Sequence, residues 1–299
     1  MGDKKRIVVA YSNRAEIGIL AAVLRRLEKH FEVLPLDLGT SGGPNIAELG
    51  DLYKVCICFF HDSKPSAVIA PFDRVEQIFV ALAAYHLNIP IISLQSGDIS
   101  SGTFDDLHRH AIALYADIHF CVGPKSTERT KELVRLVGKD PSHVYDVGSF
   151  SLDDLQIDEG LVPNQPYDLI LYNPCTRSPE MIPSELDEIE AMLDKHTLWI
   201  EPNGDPNSDL IIERALKLEE RGKIKFYPNL PRPKFLGLLK NASRFISNSS
   251  CVFFEAPHFL RPEQIVHVGV RNRGREHVEL KPGGSDRIAE ILRKELEAT

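Results

Sequence analysis

The chain has 299 residues, with 35 Lys and Arg against 43 Asp and Glu, a net charge of −8 and a pI near 5.8. At 43% hydrophobic it can bury a full core, which excludes wholesale disorder. The acidic balance excludes a general nucleic-acid binder, which needs a basic face. No apolar run approaches the roughly 18–20 residues that span a bilayer. The run Ile7 to Ala10 is too short for a signal-peptide core. These features give the expectation of a cytoplasmic protein with no membrane partner.

In chain order, KRIVVAYS, FEVLPLDL, KVCICFF, SAVIAP, IPIISLQ, ADIHFCVG and HVYDVGS read as buried strands. Near-continuous apolar runs without alternation suit a parallel sheet covered on both faces. Amphipathic helical stretches separate several of them: EIGILAAVLRRLEKH, RVEQIFVALAAYHLN and KSTERTKELVRLVG. In the last of these, Ser126 or Thr127 is expected to cap the helix and Gly138 to stop it. QIDEGLVPNQPYD, with two prolines and no periodicity, reads as a linker. A second alternation follows: DLILYNP, a helix around PSELDEIEAMLDKH, TLWIEPN, DLIIERALKLEERG, KIKFYP, PKFLGLLKNA, SRFISNSS, a helix through CVFFEAPHFL, and QIVHVGV. SDRIAEILRKELEA makes a terminal helix. The pattern predicts an α/β chain of two doubly wound domains, 1–157 and 158–285, with a helix over 286–299 packing back on the first. Ligands of such sheets bind at the carboxyl ends of strands, which places the expected site in a cleft between the domains.

The five cysteines are an odd set, and only Cys56 and Cys58 are close in sequence. On a strand, that spacing puts them on one face. With no C-x-x-C and no His/Cys cluster, they read as buried free thiols, and no metal site is expected.

Polar residues concentrate at strand exits. Ser12-Asn13-Arg14-Ala15-Glu16 follows the first strand, where Arg14 either faces a phosphate at the helix start or lies in solvent. Phe72-Asp73-Arg74-Val75-Glu76 follows SAVIAP and puts two carboxylates and an arginine at the expected cleft edge, where an acidic first helical turn is an equal reading. The richest exit runs from Gln95 to His110. It includes Asp98, Asp105, Asp106, His108, Arg109 and His110 between and beyond glycines, a density of titratable groups suited to proton transfer. Later, Ser247-Asn248-Ser249-Ser250 leads into a helix with Glu255 one turn in. This is the arrangement of either a diphosphate site with a ribose acceptor or an ordinary helix cap. Arg271, Arg273 and Arg275 follow the next strand, as further phosphate contacts or as surface charge.

Taken in order, these landmarks resemble the UDP-N-acetylglucosamine 2-epimerase family, and most closely its hydrolysing branch. The family's T-R-A-[DE] is similar to Asn13-Arg14-Ala15-Glu16, and its G-D-R-F-[ED] to Phe72-Asp73-Arg74-Val75-Glu76. Its long glycine-acid motif is similar to Ser93 through Ile112, keeping Gly97, Gly102, Asp105, Asp106, Arg109, His110, Ala111 and Ile112. V-G-S-x-x-L-D-x-L matches Val147-Gly148-Ser149 and Leu152-Asp153-Asp154-Leu155. P-N-x-D stands as Pro202-Asn203-Gly204-Asp205, N-S-S…E-A-P as Asn248 to Pro257, and R-x-x-G-R ends in Arg271-Asn272-Arg273-Gly274-Arg275.

The resemblance implies a GT-B fold of two Rossmann-like domains, a homodimer and no cofactor. It also implies a reaction. The C2 proton of a UDP-HexNAc is removed and UDP expelled, giving a 2-acetamidoglucal. Water then adds at C1, and a proton adds at C2 on the opposite face. It assigns proton work to Asp73, Asp98, Asp105 and Asp106, with His110 orienting them. It assigns substrate contacts to Arg14, Arg74, Gln95, Arg109, Asn173, Ser249, Ser250, Glu255, Arg271 and Arg275. Two positions depart from the family. Gln95 stands where it has an acid, and Asn173-Pro174 stands for its His-Pro; neither amide moves protons near neutral pH. The chain between Leu38 and Val55 is also shorter than the family's. Two alternatives stay open: a UDP-sugar-binding homologue with lost or altered chemistry, and a GT-B glycosyltransferase.

Overall fold

The computed structural model describes residues 4–12, 14–39, 49–193, 196–275 and 277–297, without the side chains of Arg14 and Ala15. The chain divides into two compact units. One comprises Met1–Ile99, Asp105–Asp153 and Val278–Thr299, the other Ser100–Phe104 and Asp154–His277.

The first unit is built on β1 (Arg6–Tyr11), β2 (Glu32–Asp37), β3 (Ala67–Pro71), β4 (Ile91–Leu94), β5 (Ile118–Cys121) and β6 (Val144–Asp146). All pair in parallel, in the order β2-β1-β3-β4-β5-β6. Helices α1 (Arg14–Leu27), α2 (Leu49–Ser63), α3 (Val75–His86), α4 (Asp105–Tyr115) and α5 (Pro124–Leu136) connect them. β3 and β4 are buried along their whole length, as the apolar run of β3 requires and with Ser93 the one polar residue of β4. Strand order reverses between β1 and β3, so the exits of these two strands flank the crevice where doubly wound sheets bind ligands.

The second unit carries β7 (Asp168–Leu171), α6 (Ile182–Ala191), β8 (Thr197–Ile200), α7 (Ser208–Glu220), β9 (Lys225–Tyr227), α8 (Arg232–Asn241), β10 (Arg244–Ser247), α9 (Cys251–Phe254), α10 (Ala256–Phe259) and β11 (Ile265–His267). Its parallel order, β11-β10-β7-β8-β9, reverses between β7 and β10. Trp199 and Tyr172 are its largest fully buried side chains.

The last helix, α11 (Gly284–Glu297), belongs to the first unit and packs on α1, with an Arg26–Asp286 ion pair at 3.1 Å. Its start is fixed by Asp153, whose carboxylate accepts from Gly283 N at 2.6 Å and Ser285 N at 2.8 Å, and by Arg287, which donates to the Val147 carbonyl at 2.7 Å. These bonds give the V-G-S-x-x-L-D segment its structural task.

Four local expectations need correction. KVCICFF is not a strand but the middle of α2, where Cys56 and Phe60, one helical turn apart, are buried. Cys56 and Cys58 therefore face differently, Cys56 inward and Cys58 into solvent. Ser126 and Thr127 lie inside α5 rather than at its cap, their hydroxyls donating to the Gly123 carbonyl at 3.0 and 2.8 Å. Gly123 is the cap residue, with Pro124 in the first turn. CVFFEAPHFL forms two single turns broken at Glu255, because Pro257 has no N–H and its ring obstructs the carbonyl one turn back. Gly138 ends α5 as expected, in the left-handed conformation at φ 75°.

Candidate active site

In the first unit, the exits of β3 and β4 both turn through left-handed residues that are not glycine. Phe72 sits at φ 65° just before Asp73, and Gln95 at φ 59° in the turn that leads to Asp98. Such conformations cost roughly 1–2 kcal/mol each and persist where packing over-determines them, often at functional sites. Phe72 is held by its N–H on the Leu94 carbonyl at 3.1 Å and by stacking on Phe150. Gly97 follows Gln95 by two residues at φ 75°, and a Cβ there would lie 2.2 Å from the Ser126 carbonyl oxygen, so only glycine fits.

Arg109 organises the carboxylates. It projects from α4, is 2% exposed, and pairs with Asp73. Its Nη1 donates to the Asp98 carbonyl at 2.8 Å and to the Asp106 carboxylate at 3.1 Å. Burial opposes its charge, but Asp73, Asp98, Asp106 and Asp105 outweigh burial and hold it firmly protonated. Thus two of the four candidate carboxylates, Asp73 and Asp106, pair with one guanidinium, which also holds the backbone of Asp98; Asp105 lies beside Asp106 in the first turn of α4. His110, half-buried on the same helix, is pushed below its ordinary value by burial and then by Arg109. Burial lowers His108 likewise.

Arg74 and Glu76 do not make the open edge expected of them. Glu76 is fully buried and accepts from Arg74 Nη2 at 2.9 Å. Glu16, on α1, is 6% exposed and accepts from Ser12 N at 2.5 Å. Burial raises its carboxyl from the ordinary 4.5 to about 7, with Asp73 and Glu76 adding to the rise and Ser12 and Arg74 opposing it. Asn13 and the Arg14 side chain lie outside the described residues.

In the second unit, the crevice between β7 and β10 is closed by two asparagines. Asn173 N donates to Asn248 Oδ1 and Asn248 Nδ2 to the Asn173 carbonyl, both at 2.7 Å. Asn173 Oδ1 also accepts from Asn203 N at 2.9 Å, tying in the exit of β8. Arg271, 8% exposed, is committed to Asp205 at 3.1 Å and the Pro174 carbonyl at 3.0 Å. Its backbone carbonyl accepts from Gly102 N at 3.0 Å, and a Cβ on Gly102 would lie 2.3 Å from the Arg271 Cα. Ser249 and Ser250 are half-buried. Ser250 begins α9 without a side-chain cap bond, and so short a helix carries little macrodipole. Glu255, 7% exposed, pairs with Arg232 at 2.8 Å. The Arg275 guanidinium lies over the Phe254 ring at 5.3 Å.

Sequence reasoning missed Arg232, Glu16 and the Asp205 partner of Arg271. Glu16 closes the Ser12–Glu16 exit of the first strand, but nothing in a sequence marks a carboxyl as buried. Arg232 is 23 residues from Glu255, with no spacing to link them. Among the described residues, no group of three or more His, Cys, Asp or Glu is placed to hold a metal, and no helix is long and apolar enough to cross a membrane.

Residues 22–294 match the profile of a family described as UDP-N-acetylglucosamine 2-epimerase. The chain is 26% identical over 319 residues to a UDP-N,N'-diacetylbacillosamine 2-epimerase (hydrolyzing) of Legionella pneumophila, covering 91% of this chain and 83% of that protein. It is 28% identical over 273 residues to a GDP/UDP-N,N'-diacetylbacillosamine 2-epimerase (hydrolyzing) of Campylobacter jejuni, covering 84% of this chain and 69% of the relative. In fold it is similar to the UDP-GlcNAc 2-epimerase of Neisseria meningitidis solved with UDP-GlcNAc. The TM-score is 0.76 at 15% identity, over 97% of this chain and 100% of that one. The two parallel sheets with their helices are a GT-B-like pair of Rossmann-like units.

Proposed function

The chain belongs to the UDP-N-acetylglucosamine 2-epimerase family, and on that premise we propose that it hydrolyses a UDP-HexNAc with inversion at C2. The observation that carries this reading is the pairing of the Asp73 and Asp106 carboxylates with buried Arg109, which also holds the backbone of Asp98. Paired acids of this kind do what the reaction needs. One removes the C2 proton as the C1–O bond to UDP breaks, giving the 2-acetamidoglucal. Water then adds at C1, and a second acid returns a proton to the opposite face of C2. UDP is held by the second unit through Ser249, Ser250 and Glu255, with the Arg232–Glu255 pair fixing the carboxylate that accepts from the ribose. Arg14, Arg74, Gln95 and Arg275 complete the substrate contacts, and His110 orients the acids. The enzyme works as a cytoplasmic homodimer without a cofactor, supplying sialic-acid-type sugars. The bacillosamine-derived substrates of the two bacterial relatives extend the candidate sugars to 2,4-diacetamido forms.

A second reading, sugar-nucleotide binding without turnover, is favoured by one observation: Asn173, in place of the family's histidine, has its side-chain oxygen engaged by Asn203. The test is incubation with UDP-N-acetylglucosamine and UDP-N,N'-diacetylbacillosamine in deuterium oxide. Free UDP and a C2-epimerised, C2-deuterated sugar are expected from at least one. UDP binding with neither product would establish the second reading.

A further inference from the structure

We propose that His119 is a positioning residue that acts through Ser93 and Ser96 to hold the turn carrying Asp98, an inference that rests on the epimerase reading of that turn. His119 lies inside the apolar run of β5, 1% exposed, directly opposite Ser93 in the β4–β5 ladder. Its Nδ1 meets Ser93 Oγ at 3.0 Å, and Ser93 Oγ meets Ser96 Oγ at 2.5 Å. Both serines are buried. A buried strand pair and its exit have no need of two hydroxyls and an imidazole, each of which costs stability unless hydrogen-bonded; apolar residues would fill the space better.

What distinguishes this chain of groups is where it ends. Ser96 lies between Gln95 at φ 59° and Gly97 at φ 75°, two left-handed residues in a turn two residues from Asp98. A left-handed glutamine persists only where its surroundings enforce it. The turn is held residue by residue: Ser96 N donates to the Phe120 carbonyl at 3.2 Å, Arg129 donates to the Gly97 carbonyl, and Arg109 donates to the Asp98 carbonyl at 2.8 Å. Among the described residues, the hydroxyl chain from His119 is the one side-chain tie to Ser96 itself. It works in either direction, because both hydroxyls rotate to suit the imidazole tautomer.

The ring holds rather than transfers protons. Burial first, and then Lys139, push it down to about 4, against the opposing influence of Asp117 and the Ala116 carbonyl, so it is neutral at any ordinary working pH.

The experiment compares Ser93→Ala, Ser96→Ala, the double variant, His119→Asn and His119→Leu, on the UDP-HexNAc that the wild type turns over. Ser93→Ala and Ser96→Ala should each lower kcat about threefold to tenfold, the worth of one buried hydrogen bond. The double variant should be little worse than the poorer single one, since both break the same chain. KM and UDP affinity should stay at wild-type values. His119→Asn, whose amide reaches the place of Nδ1, should restore kcat lost in His119→Leu with an unchanged pH profile. Hydrogen exchange at Gly97 to Ile99 should quicken in Ser93→Ala while exchange in α5 does not. Wild-type kcat and unaltered exchange in both serine variants would overturn the inference. So would a His119→Asn variant whose pH profile loses an ionisation, since that would make the ring a proton carrier. A wild type that releases no UDP from any sugar refutes the epimerase reading instead.

Discussion

Replacing Arg109 by Lys tests whether one guanidinium really assembles the acids. The guanidinium reaches Asp73, the Asp98 carbonyl and Asp106 from a position 2% exposed. A lysine keeps the charge but offers a compact ammonium on a shorter reach, so it satisfies one of these directions rather than three. Each charge-assisted bond lost is worth about 1.5–3 kcal/mol. Two losses, discounted because Asp73 is partly open to water at 29%, leave a deficit of about 3 kcal/mol. If half of that falls on the placement of the acids, kcat drops by at least about tenfold, and by about 10²-fold if most of it does. Arg109→Met takes the guanidinium away from the Asp73 and Asp106 carboxylates, the more damaging change at about 3–5 kcal/mol. Steady-state UDP release measures the first effect. For the second, urea unfolding followed by circular dichroism reports on both units, while fluorescence of Trp199, the single tryptophan and buried in the second unit, reports there alone. The expected result is a weakened first transition with the Trp199 transition unmoved. Arg109→Lys with wild-type kcat and an unchanged urea midpoint would refute the reasoning.

Glu16 should give the first unit a distinct pH dependence. Its carboxyl is raised in the fold from 4.5 to about 7, so its contribution is full below pH 4.5 and lost as pH rises through 7. This amounts to about 3 kcal/mol that Glu16→Gln should remove from the pH slope, read by urea unfolding between pH 4.5 and 8. Glu255→Ala should weaken UDP by about 1–3 kcal/mol, and Arg232→Met, which frees the same carboxylate, should weaken it less; calorimetry with UDP measures both. Asn173→His, which restores the family residue, should destabilise the second unit by about 1–3 kcal/mol, because the bond to Asn203 N is lost and Asn248 must move. An unshifted Trp199 unfolding transition would count against that.

The parallel sheets could be read directly from the sequence, because runs such as AVIAP and IISL are buried on both faces and carry no alternation to mislead. KVCICFF offered the same signal and proved helical. Its apolar residues continue into Leu52 and Tyr53, and the 15-residue element buries Cys56 and Phe60 against α3, a partner that propensity alone does not reveal. The Gln95–His110 loop stands out by density and draws attention to Asp98 and Asp106, while Asp73 stands in the separate Phe72–Glu76 exit. The part played by Arg109 is not legible there, since an arginine that grips substrate and one that grips carboxylates look alike until burial separates them. His119 was hidden for the opposite reason, one polar letter inside an apolar strand. The break at Glu255 was written in Pro257, which the apolar run on either side outweighed.

The return of the chain to the first unit at Val278 sets an order of events during synthesis. When a ribosome has made everything up to Asp153, the six strands of that unit exist, but the carboxylate that will receive Gly283 and Ser285 has nothing to receive, and α1 still shows the face that α11 covers. The whole of 154–277 must be translated first, on the order of ten seconds at ordinary elongation rates. Through that interval the nascent first unit is an unfinished substrate for chaperones, while the second has every strand it needs before the last helix emerges. A stop codon after residue 277 should therefore yield a protein whose second unit is sound and whose first unit is held in quality control, so that the candidate acids are lost to a lesion far from any of them in sequence.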